Sequence, residues 1–206
     1  MTNFKSKFKN IDNIRILTVP GLNGSGPLHW QSIWEHKYGF TRIEQDSWDN
    51  PDYYLWADSF YRNIEKYENE SEVVIVAHSL GCHLVIKSFP LIKYMTKGIL
   101  LVAPPDLNAN IIKKDLSGFY MSGIFELDVP GFLIYSVNDP YASAQYSVKY
   151  GQKLGLDLVN IGKRGHINSE SDIGDWDEGA TYLNRLLKSI HAKETAANSI
   201  SNFQMA

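Results

Sequence analysis

The chain has 206 residues, of which 44% are hydrophobic and 21% are charged, and its formal net charge is −3. This length suits one domain whose core needs no disulfide or metal, and this composition excludes wholesale disorder and a membrane-embedded protein. The charge balance also argues against nucleic acid or an acidic membrane as a partner, because both attract clustered Lys and Arg.

Cysteine content and the N-terminal residues predict the compartment. The single cysteine, Cys82, cannot form an internal disulfide and is expected to pack as a small buried hydrophobe. No apolar stretch of signal-peptide or membrane-spanning length follows the first residues. The sequence therefore predicts a cytoplasmic protein.

Six short runs have the composition of β-strands. Most are apolar throughout rather than alternating, which is typical of strands buried on both faces of a parallel sheet. In chain order, the predicted strands are centred on residues 14–19, 41–45, 73–77, 98–102, 131–137 and 156–161.

Segments with helical spacing separate these runs. Start and stop signals such as Asp52 and Gly39 help to place their ends. The alternation of strands and helices predicts an α/β fold with a six-stranded, mainly parallel sheet flanked by helices. In chain order, the predicted helices lie over residues 30–38, 50–67, 80–90, 143–154 and 178–190.

The same pass along the chain predicts its domain organisation. Residues 14–190 are expected to form a single domain, preceded by an N-terminal extension over 1–13. The polar, aperiodic residues 191–206 are expected to form a flexible tail. The longest connection, 104–130, has the length of a functional loop but leaves little chain for a lid domain.

The pentapeptide Ala77-His78-Ser79-Leu80-Gly81 joins the third predicted strand to the helix after it. This is the context of a nucleophile elbow, where a strained turn lifts a serine hydroxyl above the sheet edge between small residues at two fixed places. Ala77 and Gly81 occupy those places. The context predicts Ser79 as the nucleophile, and His78 is expected to make a structural hydrogen bond, its ring turned away from Ser79.

Two further strand ends supply the partners that a serine nucleophile needs. Asp139 follows the fifth predicted strand and His166 the sixth, in the order of α/β-hydrolases. A neutral imidazole can take the serine proton, and a carboxylate fixes the tautomer of that imidazole and stabilises its cation. Ser79, Asp139 and His166 are the predicted catalytic residues, and Asp106, after the fourth strand, is the alternative acid.

Backbone N–H groups beside Ser79 form the predicted oxyanion hole. The N–H of Leu80 is one donor, and the other is expected from the glycine-rich loop over 20–26, where glycines let the backbone approach the substrate. Leu22 is the predicted donor from this loop, with Asn23 as the alternative.

Between about residue 14 and residue 187, several short motifs follow one another: Val19-Pro20-Gly21, Gly24-Ser25-Gly26-Pro27, His29-Trp30-Gln31, Gln45, Trp48, Pro51, the pentapeptide, Asp139-Pro140, Gly165-His166-Ile167-Asn168 and Gly174-Asp175-Trp176. Together they resemble the small serine hydrolases related to retinoblastoma-binding protein nine. The resemblance implies a lid-poor α/β-hydrolase fold and carboxylesterase-type activity without metal or cofactor. It also implies Ser79, Asp139 and His166 as the triad.

These observations predict hydrolysis of a small carboxylic ester, thioester or amide through an acyl-enzyme on Ser79. The predicted substrate pocket is bounded by the connection 104–130 and lined by Phe119, Tyr120, Tyr141 and Trp176. Segment 104–130 carries no motif of the family, so no substrate preference follows from the resemblance.

Other functions find less support in the sequence. The histidines outside the triad have no spacing typical of a metal site, so no metal is expected. The glycine-rich loop lacks the ending of a phosphate-binding P-loop. The alternative function is a catalytically silent hydrolase-fold protein that binds a partner or ligand, since a fold does not fix a function.

Overall fold

A computed structural model describes residues 8, 14–67, 72–109 and 115–204. Within these residues, six strands form one sheet in which every neighbouring pair is parallel, so the predicted α/β fold is confirmed. The strands are β1 (Ile14–Val19), β2 (Thr41–Arg42), β3 (Glu72–His78), β4 (Thr96–Val102), β5 (Gly131–Tyr135) and β6 (Asp157–Asn160).

The helices begin and end at residues suited to those places. Asp52 and Ser143 accept hydrogen bonds from backbone N–H groups in the first turns of their helices, and Gly39 ends its helix with a φ of 74°. The helices are α1 (Trp30–Tyr38), α2 (Tyr53–Ile64), α3 (Leu80–Ile92), α4 (Ala144–Lys153) and α5 (Asp177–Gln204).

The strand order β2-β1-β3-β4-β5-β6 positions the site. Strands are added in one direction up to β2 and in the other from β3 onward, so the order reverses between β1 and β3. Loops leaving such a switch point open a crevice at the carboxyl ends of the strands, where ligands bind. Val19 pairs with Ala77, so β1 and β3 end level with each other at this crevice.

Two hydrophobic cores cover the two faces of the sheet. One face packs against α2, α3 and α4 through side chains such as Ile75, and the other packs against α1 and α5 through side chains such as Val74 and Val76. This explains the apolar runs, because every side chain of a strand covered on both faces is buried. Cys82 is buried as expected, and burial raises the pKa of its thiol.

The second strand is shorter than the predicted run over 41–45. The chain leaves the sheet after Ile43, whose N–H still donates to the carbonyl of Thr18 at 2.9 Å. Gln45 turns toward α2, where its side-chain amide donates to the Trp56 carbonyl at 3.3 Å. β2 is an edge strand with one neighbour, so few hydrogen bonds are lost when the chain leaves the sheet and Gln45 bonds to α2 instead.

The predicted end of the last helix at residue 190 is wrong, because α5 continues to Gln204. The predicted tail, 191–206, contains Ala192, Lys193 and Glu194, which favour helix, and extending a formed helix adds one hydrogen bond per residue. Glu194 also lies 3.6 Å from the Lys97 ammonium at the start of β4.

The predicted N-terminal extension contributes one side chain to the core. Phe8 is 3% exposed, and its ring lies 4.8 Å from that of Tyr38 and 5.3 Å from that of Phe40. The other residues of 1–13 lie outside the described part of the chain.

Candidate active site

The turn between β3 and α3 has the geometry of a nucleophile elbow. Ser79 adopts φ 53° and ψ −126°, a backbone conformation that non-glycine residues rarely enter. A Cβ on Gly81 would lie 2.3 Å from the Val19 carbonyl oxygen, and one on Gly21 would lie 2.8 Å from the Ser79 Cβ. The ends of β1 and β3 are therefore pressed together backbone against backbone, which is why glycine occupies both positions.

The structure brings Ser79, Asp139 and His166 together, although 87 positions separate the serine from the histidine. The His166 Nε2 lies 2.8 Å from the Ser79 Oγ, and its Nδ1 lies 3.0 and 2.9 Å from the two Asp139 carboxylate oxygens. The side chains of His166 and Asp139 are 9% and 2% exposed. A carboxylate can accept only, so Nδ1 carries a proton and Nε2 of the neutral imidazole is free to accept one.

Side chains of the loop after β5 hold the acid and the imidazole in place. The Ser136 hydroxyl accepts from the Arg164 N–H at 2.9 Å and donates to the Asn138 Oδ1 at 2.8 Å. The same Oδ1 accepts from the Gly165 N–H at 2.9 Å. These bonds tie the loop that carries Asp139 to the loop that carries His166.

The alternative acid, Asp106, does not reach the imidazole. Its Oδ1 accepts instead from the backbone N–H of Asn108 at 3.0 Å. This carboxylate completes a local turn, as aspartates that follow strands often do.

The two predicted oxyanion donors belong to loops that meet at Ser79. Leu80 and Leu22 each begin a helical turn, so their N–H groups have no acceptor within that turn, and none elsewhere among the described residues. Gly21 brings the two loops together, because a Cβ there would lie 2.9 Å from the Leu80 nitrogen. The N–H of Asn23 donates to the Trp48 carbonyl at 2.9 Å, so the structure leaves Leu22 rather than Asn23 with a free donor.

Sequence reasoning missed Arg42, which shapes the loop after β1. Its guanidinium donates to the carbonyls of Gly24 at 2.7 Å and Ser25 at 3.1 Å, and it pairs with Glu35 at 2.8 Å. The arginine therefore holds the glycine-rich loop down on β2. No local pattern marks this role, since the partners come from two other segments, the loop after β1 and helix α1.

A cavity of about 470 Å³ opens beside Ser79. Its lining combines apolar and polar residues, and the connection 104–130 contributes two of the apolar ones. The apolar group consists of Leu22, Leu80, Pro105, Leu116 and Tyr141; the other lining residues besides Ser79 are Asn23, Ser25, Gly26, His29, His78, His166, Asn168, Ser169 and Glu170.

Of the four predicted pocket residues, only Tyr141 lines this cavity, its ring 4.6 Å from that of His166. Phe119 is 1% exposed and packs between Tyr53 and Trp56.

The predictions for Tyr120 and Trp176 are also wrong. Tyr120 is 42% exposed and donates to the Leu107 carbonyl, and Trp176 packs on Trp30 and Trp34 in the core. Trp176 has a large apolar surface and is therefore buried in the core. The hydroxyl of Tyr120 is instead fixed by its bond to the Leu107 carbonyl.

Two further histidines, His78 and His29, pack next to His166 in succession. The ring of His78 lies 5.0 Å from that of His166 and 4.7 Å from that of His29. Burial lowers the pKa of His29 to about 3, helped by the charges of Arg42 and His166, and burial lowers the pKa of His78 well below its ordinary value. Both rings are therefore neutral near neutral pH.

The residues that the structure describes contain neither a cluster suited to a metal ion nor a helix suited to a membrane. No group of three His, Cys, Asp or Glu side chains in 14–67, 72–109 and 115–204 could hold a metal ion. Over the same part of the chain, no helix combines the length and the apolar character needed to cross a membrane.

Comparison with solved structures finds the same fold in several hydrolases. A YdeN-like hydrolase from Pectobacterium atrosepticum is 26% identical, with a TM-score of 0.79 over 92% of this chain and 99% of the other. The ydeN gene product of B. subtilis is 18% identical, with a TM-score of 0.61 over 86% and 98% of the two chains. A thermophilic esterase from Thermogutta terrifontis is 12% identical, with a TM-score of 0.62 over 86% and 90%.

Comparison with known sequences supplies the family. No curated protein matches the chain. A family model described as serine hydrolase matches residues 16–185, which include every residue of the candidate site and all of the sheet except Ile14 and Arg15. The chain therefore belongs to the serine hydrolase family, in agreement with the resemblance that its motifs carry.

Proposed function

We propose that this hydrolase cleaves small carboxylic esters, or related thioesters and amides, through an acyl-enzyme on Ser79. The observation that carries the proposal is the unbroken chain of hydrogen bonds from Asp139 through His166 to the Ser79 hydroxyl. Such a relay turns a poor nucleophile into a good one at neutral pH.

In the first half of the reaction, His166 Nε2 takes the hydroxyl proton while the Ser79 Oγ bonds to the carbonyl carbon of the substrate. The substrate oxygen becomes negative and is stabilised by the N–H groups of Leu22 and Leu80, the latter at the positive end of α3. The bond to the leaving group then breaks, and the leaving atom takes the proton from Nε2. An acyl-serine and a free alcohol, thiol or amine result.

In the second half, a water molecule replaces the leaving group. His166 takes one proton from this water as its oxygen bonds to the acyl carbon, and the same two N–H groups stabilise the new oxyanion. The bond between Ser79 Oγ and the acyl carbon breaks, and Oγ recovers its proton from Nε2. The products are the carboxylic acid and the original enzyme, while Asp139 stays ionised throughout.

The cavity supports small or flexible acyl groups rather than long lipid chains. Its volume of about 470 Å³ lies in the lower half of the usual range for small-molecule pockets. The apolar side chains of Pro105, Leu116 and Tyr141 suit contact with an acyl chain, and polar side chains make up much of the remaining lining.

A fluorophosphonate that labels activated serines tests the proposal. We expect one adduct, located on Ser79 by peptide mass spectrometry, together with turnover of p-nitrophenyl acetate. Ser79→Ala should abolish labelling and lower kcat by about 10⁶-fold with little change in Tm, since only a hydroxyl is lost.

A matched serine away from the cavity serves as the control. Ser189 lies on α5 and donates to the Leu186 carbonyl, so Ser189→Ala should label and turn over like the wild type. A folded wild-type protein that neither labels nor turns over any ester would contradict the proposed function.

A further inference from the structure

The histidine before the nucleophile is bonded to the backbone of the base. His78 ends β3, and its Nε2 lies 3.0 Å from the carbonyl oxygen of His166. A carbonyl oxygen only accepts, so Nε2 of His78 carries the proton and donates it. This bond joins the end of β3, which leads into Ser79, to the loop after β6, which carries His166.

A second ring donor holds the next carbonyl. The Trp30 indole Nε1–H donates to the Ile167 carbonyl at 2.8 Å, and Trp30 is completely buried. Ring N–H groups of two buried side chains therefore donate to two consecutive carbonyls of the loop that carries the imidazole, those of His166 and Ile167.

The backbone that these donors hold is strained. Ile167 has a φ of 51°, a conformation that costs a β-branched residue more than most others. Strain of this kind persists only where surrounding contacts over-determine the conformation. The two ring donors and the bond from the Gly165 N–H to Asn138 are such contacts.

The neighbours of His78 keep the donor fixed. Its ring packs between those of His166 and His29, and His29 is itself anchored because its Nδ1 accepts from the Gln31 N–H at 3.2 Å. His78 and His29 are 4% and 3% exposed. Because burial lowers the pKa of His78, the donor brings no charge beside the imidazolium that forms on His166.

From these contacts we propose that His78 is a positioning residue of the reaction. Its Nε2–H and the Nε1–H of Trp30 hold the carbonyls of His166 and of the strained Ile167 in the one conformation that places the imidazole against Ser79. The inference rests on the proposed function and adds to it a residue that acts through His166.

The amide pair His78→Gln and His78→Asn separates this role from general packing. The Gln amide nitrogen reaches the position of the histidine Nε2, whereas the Asn amide falls one carbon short. We expect Asn to lower kcat for p-nitrophenyl acetate by about 10- to 100-fold with KM within about twofold, because a misplaced imidazole slows chemistry rather than binding. Gln should restore most of the wild-type kcat.

A spectroscopic measurement reports the geometry without turnover. The Nδ1–H of His166, donated to Asp139, should give a low-field proton resonance that persists in His78→Gln and broadens or disappears in His78→Asn. Trp30→Phe keeps a buried ring but loses the second donor, so it should weaken the same resonance. This variant tests the claim even where His78→Asn does not fold.

The outcomes are distinct. A folded His78→Asn protein with wild-type kcat and an unchanged resonance would overturn the inference, and equal losses in the Asn and Gln variants would show that the ring, not its hydrogen bond, matters. A wild type that neither labels nor turns over would refute the proposed function, and the resonance alone would then decide whether His78 positions His166.

Discussion

The half of the candidate site that carries Ser79 and the half that carries Asp139 and His166 are held together by different kinds of contact. The half that carries Ser79 is backbone packed on backbone, with glycine at 21 and 81 because a Cβ would overlap its neighbours. The half that carries Asp139 and His166 consists of loops joined by hydrogen bonds to side chains, chiefly those that the Asn138 Oδ1 accepts.

This difference predicts which kind of substitution would disrupt each half. A close-packed backbone contact is broken by adding atoms, because neither strand end can move away from the sheet. A hydrogen-bonded loop is broken by removing atoms, because the unpaired groups no longer share one geometry. Opposite kinds of substitution should therefore damage the two halves.

Among the substitutions that compare the two halves, the largest effect is expected at Asp139, the carboxylate that the loops supply. Asp139→Asn should lower kcat by about 10⁴-fold, because an amide can donate to Nδ1 and favour the wrong imidazole tautomer. Asp106→Asn is the matched control, since that side chain does not reach His166 and accepts instead from the Asn108 N–H. Steady-state kinetics of both variants would check this, and a larger loss at Asp106 would reverse the assignment.

The next effect tests the backbone half. Gly81→Ala places a Cβ 2.3 Å from one carbonyl oxygen and 2.5 Å from another, so it should lower the free energy of unfolding by about 3 kcal/mol. Gly123→Ala meets nothing within 4 Å and should change stability little. Urea unfolding measures both, and equal stabilities would mean that the elbow is less tightly packed than described.

A smaller effect should follow from loosening the loop half. Asn138→Ala removes the acceptor shared by the Ser136 hydroxyl and the Gly165 N–H, and it should lower kcat by about tenfold while KM changes little. Asn160→Ala removes a similar bond, to the Gly162 N–H at 2.9 Å, outside the cavity. If both variants kept wild-type kcat, the loops would not depend on this network.

The smallest effect concerns His83, whose Nε2 donates to the Pro105 carbonyl at 2.7 Å. Burial lowers its pKa from 6.5 to about 4, against weaker raising effects of the Pro105 carbonyl and Asp106. The unfolded chain therefore binds more protons between these values, so stability is present above pH 6.5 and is lost as the pH falls toward 4.

The variant His83→Gln keeps a neutral donor and should remove a slope of roughly 1 kcal/mol per pH unit in this window. Part of the slope should remain, because His29 and His78 also have lowered pKa values. Urea unfolding of both proteins at several pH values would check this, and identical slopes would contradict a neutral buried His83.

Local signals predicted much of the fold. The five helix starts, Gly39 as a stop and most strands were predictable because caps, glycine and apolar runs act within a few residues. The end of α5 was not predictable in this way. Helix propagation and the contact between Glu194 and Lys97 extend α5 beyond Ile190, where its apolar spacing ends. The aromatic pocket residues failed for a similar reason, since packing decides which aromatic side chains are buried.

By itself, the sequence determined the parallel α/β order and the strand ends at which Ser79, Asp139 and His166 lie, because residue type and spacing specify local structure. Only the tertiary structure decided that Asp139 rather than Asp106 reaches the imidazole and that Leu22 rather than Asn23 keeps a free N–H. It also decided that His78 and Trp30 hold the histidine loop. Those outcomes depend on contacts between segments far apart in the chain, which no local pattern records.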